Sequence, residues 1–232
     1  AVIAVVIPAY RVARQIVALI ARIPPLVTRI IVVDDACPEH SGELVRQQVS
    51  DPRLQLIFHA ENQGVGGAVI SGVRAALDGG ADVVVKLDGD AQYDPELIPY
   101  LVQPILDGVA DVTKGNRFFF LEDVAQMPAL RLFGNAVLSF VNKAVSGYWD
   151  VMDPTNGFVA IHAEVLHMLP LEKLEPRYFF ESDLLFRLGT LRAVVQDMPL
   201  RAHYGDEQSS LRIGSTALAF PWKYASRLLK RV

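Results

Sequence analysis

The chain has 232 residues, about half of them apolar, with a mean hydropathy of +0.27 and a formal net charge of -4. That length suits one large α/β domain whose core needs no covalent staples, and the single cysteine, Cys37, excludes an internal disulfide framework. No apolar run reaches the roughly 18 residues that span a bilayer, no His/Cys cluster has zinc spacing, and the acidic balance gives no general attraction to nucleic acid.

The first half alternates strand and helix. The apolar run Ile3–Ile7 stops at Pro8-Ala9-Tyr10 and, with no basic region before it, reads as a buried strand rather than a signal peptide. Helical spacing over Val12–Ile23 precedes a second apolar run, Ile30–Val33, which stops at Asp34-Asp35. Glu39–Val49 reads as a helix, Leu54–Phe58 as a third strand leading into HAENQGVGGA, and Val65–Leu77 as a helix closed by Gly79-Gly80. Asp82–Leu87 is a fourth strand running into Asp88-Gly89-Asp90. Such alternation predicts a mainly parallel sheet with helices on both faces, and strands that are apolar throughout fit burial on both sides.

The second half is less regular. Asp94-Pro95 predicts an N-cap with proline in the first turn, and the helix running to Leu106 has to accommodate Pro99 and Pro104. A short strand, Val112–Lys114, precedes Gly115-Asn116-Arg117. Ala129–Val145 has helical apolar spacing through Leu130, Phe133, Val137, Leu138, Val141 and Val145. Gly157–Ile161 and Ala193–Val195 read as strands and Ser182–Leu188 as a helix. Residues 212–232 hold five of the 22 basic residues and none of the 26 acids. Pro221 can start a helix there, with Trp222, Tyr224, Ala225, Leu228 and Leu229 as apolar contacts. It would lie on an anionic lipid surface, or pack back on the domain with Trp222 buried.

Polar residues gather just past the strands: Tyr10, Asp34, Asp35, Asn62, Asp88 and Asp90. In an open parallel sheet those ends share one edge, where ligands bind. Asp88-Gly89-Asp90 is the strongest chemical signal. Two carboxylates around a glycine at the end of a buried strand suit Mg2+ or Mn2+, hard cations that combine one or two carboxylates with substrate phosphate and stabilise charge on a leaving diphosphate. The alternative is a polar turn. Gly64, Gly66 and Gly67 permit close approach to a helix start, by an anionic group or by another piece of the chain. Arg131 and Asn135 stand four apart on one helix and share a face. Asp34-Asp35 taken alone would fit a regulatory receiver-like α/β binding module, but the pair follows the second strand and the chain is long for one.

The strings VVIPAY, VVDDAC, NQGVGGA, DGDAQYDP, KGNR, DPTNGF and FFESDLLFRL occur in this order. As an ordered set, running from Val5 to about Leu211, they resemble family-2 glycosyltransferases, nearest the polyprenyl-phosphate branch that includes dolichol-phosphate mannose synthases. The resemblance implies a GT-A type fold: a Rossmann-like, mainly parallel sheet flanked by helices, with an acceptor-side subregion. Residues 1–211 would be the catalytic domain, with 1–115 the nucleotide-sugar half and 116–211 the acceptor half, and 212–232 a membrane-proximal segment. It implies inverting, metal-dependent transfer of a hexose from a nucleotide-sugar of the UDP-glucose or GDP-mannose type to a polyprenyl phosphate, at the cytoplasmic face of a membrane. A saccharide hydroxyl in cell-surface polysaccharide synthesis is the alternative acceptor.

Residue by residue, the resemblance gives donor contacts to Pro8, Tyr10, Asp34, Asp35, Gly66, Asp88 and Gly89, and Mg2+ or Mn2+ binding to Asp88, Asp90 and Gln92. It gives the acceptor phosphate to Arg117, Arg131, Asn135 and Arg201. Asp153, Glu181 and Asp183 join Asp88 and Asp90 in the catalytic set, in a role that depends on the acceptor. A sugar hydroxyl needs a general base, whereas a phosphate monoester, with a second pKa near ~6, is already anionic at neutral pH. Helix capping is the structural alternative for Glu181 and Asp183. Where the family usually has Gly-Ser after the Asp pair, this chain has Ala36-Cys37, with Cys37 expected as an inert small side chain.

Overall fold

The structure, a computed structural model, describes residues 1–120, 122, 129–201, 222–224, 226 and 227, with 129–131 described by their helical backbone. Among the described residues seven strands are formed: β1 (Ile3–Ala9), β2 (Arg29–Asp34), β3 (Leu54–Phe58), β4 (Val83–Lys86), β5 (Val112–Asn116), β6 (Val159–His162) and β7 (Val195–Pro199). The helices are α1 (Ile16–Ala21), α2 (Ser41–Gln48), α3 (Val65–Asp78), α4 (Ile98–Leu106), α5 (Ala129–Ser146), α6 (Ala163–Met168) and α7 (Phe180–Leu191). The strands make one sheet in the order β3-β2-β1-β4-β6-β5-β7. All neighbours run parallel except β6, which is antiparallel to both β4 and β5. The chain therefore has the GT-A arrangement expected of it.

Side chains alternate across each strand, and the sheet is covered on both faces. On one face Ile3, Val5 and Ile7 of β1 meet Ile16, Leu19 and Ile20 of α1 and Ile98, Leu101 and Val102 of α4. On the other, Ala4 and Val6 meet Ala68, Val69 and Val73 of α3, with Leu184, Leu185 and Leu188 of α7 in the same cluster. Every residue of β1 is buried, which is why this strand carries no polar side chain. Gly72 sets the depth of α3, because a Cβ there would run into Val6 Cγ1 and lie 3.3 Å from Val33 Cγ2.

The reversal of β6 decides what reaches the site. Its beginning, not its end, lies level with the carboxyl ends of β4 and β5: Val159 pairs with Lys86 on one side and with Lys114 on the other. The loop before β6 thereby joins the rim that the parallel strands build.

Several elements differ from their expected form. Helix α1 begins at Ile16 because Arg11 takes φ +59° and the next residues form turns. Strand β7 spans Val195–Pro199 rather than the expected Ala193–Val195, because it includes Gln196 and Asp197, polar residues that an apolar run does not carry. The short α6 was not anticipated. Asp94 does cap the turn at Pro95–Leu97, its Oδ1 accepting from Glu96 N at 3.0 Å. The apolar pattern of α5 is divided: Leu138, Val141 and Val145 pack with Phe179, Phe186 and Tyr224, while Phe133 and Val137 are 67% and 47% exposed.

The described part of 212–232 packs back on the domain. Tyr224 is the buried ring, its Oη accepting from Asn142 Nδ2 at 2.6 Å and lying 2.9 Å from Ser182 Oγ. Burial pushes its phenol up to about 12. Lys223 pairs with Glu175 at 2.7 Å and Arg227 with Asp183 at 2.6 Å. Both cations thus point at acids of the protein instead of lipid, and Trp222, expected inside if the segment packed back, is 77% exposed. Pro221, Ala225, Leu228, Leu229, Lys230 and Arg231 lie outside the described residues. No helix among the described residues is long and apolar enough to cross a membrane.

Two glycines test the packing. Gly72→Ala should destabilise by about 1–3 kcal/mol through overpacking against Val6. Gly134→Ala, on α5 where a Cβ would meet nothing within 4 Å, should stabilise by roughly 0.5–1 kcal/mol. Thermal unfolding of the two variants checks the opposite signs.

Candidate active site

The rim at the carboxyl ends of the parallel strands is built from unusual backbone. Arg11 follows β1, Ala36 and His40 follow β2, and Ala91 follows β4; all four have φ between 51° and 60°. Among the described residues Arg192 is the other non-glycine with positive φ. Each such residue costs roughly 1 kcal/mol or more, and strain of this kind concentrates at functional sites. The Asp88-Gly89-Asp90 turn rests on the end of β1, since a Cβ on Gly89 would lie 3.2 Å from Pro8 O and 3.1 Å from Val12 Cγ2. Asp90 Oδ1 accepts from Gln92 N at 3.1 Å, closing the turn.

The acids after β2 organise loops. Asp34 accepts from Cys37 N at 2.7 Å and from Gly42 N at 2.6 Å. Asp35 accepts from Gln63 N and Gly64 N, both at 2.8 Å, and lies 2.7 Å from His59 Nδ1. Together they fix the two loops that wall the rim on that side, where Tyr10 stands 42% exposed beneath the Arg11 guanidinium. Cys37 is buried, and its Sγ accepts from Arg11 N at 3.1 Å. The glycines that open α3 face protein: a Cβ on Gly66 would strike Glu175 O, and Gly67 N donates to Pro176 O at 3.1 Å. That helix start is taken by the chain leading into α7.

A buried lysine joins the acids of the opposite half. Lys86, 3% exposed at the end of β4, donates to Asp88 Oδ1 at 2.7 Å and to Gly157 O at 3.2 Å, and lies 3.2 Å from Glu181 Oε1 on α7. Burial alone would lower its pKa, but Asp88 and Glu181 more than offset that and hold it above the ordinary lysine range. Gly157 is required here because any Cβ would run into Asp88 Oδ2.

One strand further along, Lys114 on β5 is equally buried and donates to Asn156 O. Burial brings it down to about 8, against the pull of Glu181 and Asp153. Asn156 donates to Tyr93 Oη at 2.6 Å and to Asp153 Oδ2 at 3.1 Å. Asp153 is fully buried and holds Arg117, whose Nε lies 2.9 Å from Oδ2 and whose second nitrogen reaches Oδ1 and Thr155 Oγ1, each at 3.2 Å. Asp197 on β7 accepts from Asn116 Nδ2 at 2.6 Å and Met152 N at 3.2 Å, while its Oδ1 is buried without a hydrogen-bond partner. Desolvation, reinforced by Asp153, pushes Asp197 up to about 6.

The structure thus brings Asp88, Glu181, Asp153 and Arg117 into one cluster through Lys86, Lys114 and the 153–157 loop. It does not bring Asp183 there: this fully buried acid binds Arg187 at 3.1 Å and Arg227 at 2.6 Å. Arg201 is exposed, 3.4 Å from Glu122 and stacked over Phe120 at 4.6 Å. Asn135 is half-buried on α5. The Arg131 side chain lies outside the described residues.

Residues 4–169 match the family described as Glycosyl transferase family 2. The chain belongs to that family. It is 27% identical over 214 residues to a UDP-N-acetylglucosamine–dolichyl-phosphate N-acetylglucosaminyltransferase of Methanococcus voltae, covering 87% of this chain and 84% of the relative. It is 29% identical over 173 residues to an undecaprenyl-phosphate mannosyltransferase of Micrococcus luteus, covering 74% and 70%. Its fold is similar to glucosyl-3-phosphoglycerate synthase from Mycobacterium tuberculosis in complex with uridine diphosphate, with a TM-score of 0.70 at 22% identity over 98% of this chain and 80% of that one. The same enzyme in complex with Mn2+ and uridine-diphosphate-glucose superimposes with a TM-score of 0.69.

A family-2 glycosyltransferase is an enzyme, which removes the regulatory receiver-like reading of Asp34-Asp35. The rim of this glycosyltransferase also suits a divalent cation. Asp88 and Asp90 are hard oxygen donors, and the bare Cα of Gly157 leaves Asp88 room beside the turn. Among the described residues no group of three or more His, Cys, Asp or Glu could hold a metal by itself. A cation here would draw its remaining ligands from phosphate and water, as Mg2+ usually does.

Lys86, Lys114, Tyr93, Asn156 and Asp197 carry no role in the sequence reading. The signal for the two lysines was present: each is a lone charge in a strand that is otherwise buried on both faces, VVVK and VTKGN. A charge so placed needs partners.

Asp197 gives the glycosyltransferase a measurable pH response. Its folded pKa of about 6 exceeds the ordinary aspartate value of 3.8, so folding takes up a proton between those pH values. Its favourable contribution is complete below the lower value and disappears as pH rises through the upper one. Asp197→Asn keeps an acceptor for Asn116 and Met152 but cannot ionise beside Asp153 and near Lys114. Its melting temperature should gain on the natural chain between pH 4 and pH 7.5. A difference constant across that range would contradict the assignment.

Proposed function

We propose that the chain transfers a sugar, with inversion, from a nucleoside-diphosphate sugar to the phosphate of a polyprenyl phosphate, with Mg2+ or Mn2+ held by Asp88, Asp90 and the donor diphosphate. The observation that carries the acceptor class is the pairing of the three acids expected on the acceptor side, Asp153, Glu181 and Asp183, each with a cation. Asp153 is committed to Arg117, Glu181 to Lys86, and Asp183 to Arg187 and Arg227. None is offered as a lone carboxylate for taking a hydroxyl proton. An acceptor phosphate needs none, because its oxygen is already anionic; it needs positioning and charge screening. The names of the two relatives, dolichyl- and undecaprenyl-phosphate transferases, support the same class.

The divisions of labour follow from chemistry. When bound, the cation stabilises charge on the departing diphosphate. Pro8, Gly89 and the walls held by Asp34 and Asp35 shape the donor side, with Tyr10 free to meet the nucleoside. Arg117 keeps Nε and one terminal nitrogen on Asp153 and Thr155, which fixes its guanidinium as a positive charge beside the acceptor phosphate. Arg131, Asn135 and Arg201 extend the acceptor side in this reading. A lipid acceptor brings the enzyme to a membrane surface, and the exposed Phe133, Val137 and Phe140 on α5, with Trp149 against Phe140, are apolar enough to meet it.

The test is transfer from UDP-sugars and GDP-mannose, with Mn2+, to polyprenyl phosphate and to free saccharides. Lipid-linked product with inverted anomeric configuration is expected; product on saccharide hydroxyls alone would overturn the acceptor. Arg117→Lys keeps the charge beside Asp153 but loses the guanidinium contacts that fix it. It should lower acceptor kcat/KM roughly ten- to hundredfold, corresponding to about 1.5–3 kcal/mol, with the donor KM little changed.

A further inference from the structure

We infer that Lys86 competes with the divalent cation for Asp88, so that the metal is held firmly only together with the donor diphosphate. The inference rests on the metal reading of Asp88 and Asp90 proposed above. An ammonium has three hydrogens to donate, and three oxygens surround this one: Asp88 Oδ1, Gly157 O and Glu181 Oε1. The lysine is 3% exposed on a strand paired on both sides, so its charge has nowhere else to go. It therefore already neutralises the carboxylate that a free cation would need.

A cation arriving alone at Asp88 meets a fixed positive charge that binds the same carboxylate. Like charges so close repel strongly in a partly desolvated site. A cation arriving with a diphosphate brings negative charge and further oxygen ligands, which restores the balance. Glu181 completes the arrangement, because it keeps hold of the ammonium when Asp88 turns to the metal. The protein offers no third carboxylate, histidine or cysteine among the described residues to retain a cation by itself. Lys86 is thus a positioning residue that couples metal loading to donor binding, and Glu181 is its second anchor.

The experiment measures Mn2+ binding directly, from the free-ion electron paramagnetic resonance signal, on the full chain with and without UDP or GDP. The natural protein should bind Mn2+ weakly alone and far more tightly with one of the nucleotides. Lys86→Met should bind Mn2+ alone roughly tenfold tighter, and the gain from nucleotide should shrink. The double variant Lys86→Met, Glu181→Gln keeps the net charge of the pocket and leaves no unpaired buried carboxylate, so it carries the test if the single variant does not fold. It should still bind Mn2+ alone several-fold tighter than the natural protein. Binding no tighter in the folded variants, or a double variant restored to the natural affinity, would overturn competition at Asp88. Absence of nucleotide-dependent Mn2+ binding in the natural protein is a different failure: it would remove the metal reading and the coupling with it.

Discussion

A lysine side chain that is 4% exposed must find its counter-charges inside the protein, and the part of this rim around β4, β6 and β5 is arranged around that requirement twice. Lys86 and Lys114 sit on either side of Val159, across the two ladders of β6. An unpaired buried ion costs several kcal/mol, so neither could stay without oxygens brought to it. For Lys86 they come from the Asp88 turn, the 157 carbonyl and α7; for Lys114 from the 156 carbonyl, within the field of Glu181, Asp153 and Asp197. The loop before β6 supplies a backbone oxygen to each lysine and, through Asp153, the seat of Arg117. Asp88 and Arg117 are thereby fixed by one connected set of charges.

The first half of the fold was legible because its physics is local. Apolar runs ending in Asp or Pro can be read without knowing what they pack against; β1, β2 and β4 fall close to where those runs predict, and β3 where its alternating Leu54–Phe58 does. The Asp88-Gly89-Asp90 turn was equally plain, as a polar group at a strand end. The tight fit around its glycine was not, since the neighbours are Pro8 O and Val12, about eighty residues earlier in sequence.

The remainder depended on contacts that no pattern along the chain records. Nothing in VTKGN says that β5 lies beside an antiparallel β6, nor in VQDMP that Asp197 faces Asn116. Asp183 and Glu181 are two residues apart in FFESDLL, yet one is enclosed by arginines from α7 and the C-terminal segment and the other reaches Lys86. Motif order identified the family and so named both acids, but could not separate their duties. The same holds for Gly66, whose neighbour is the 175–180 chain and whose close approach was anticipated without its partner. The apolar spacing of α5 announced a helix and left open which part of its surface is covered.

The antiparallel placement of β6 also bears on how the molecule is made. Strand β4 acquires its outer neighbour only when the chain has grown to Val159, and Lys86 meets Glu181, 95 positions later in sequence, only when α7 exists. Until then a nascent chain can pair β1 with β2 and β4, and β2 with β3, and cover them with α3, while the far edge of β4 and its lysine remain in water. Closing so long a loop carries an entropic cost, so the contacts of Lys86 with α7 should form after the pairing of β1 to β4. Synthesis stopped short of α7 would leave β1 to β4 assembled with an open strand edge, the kind of surface that pairs with another chain.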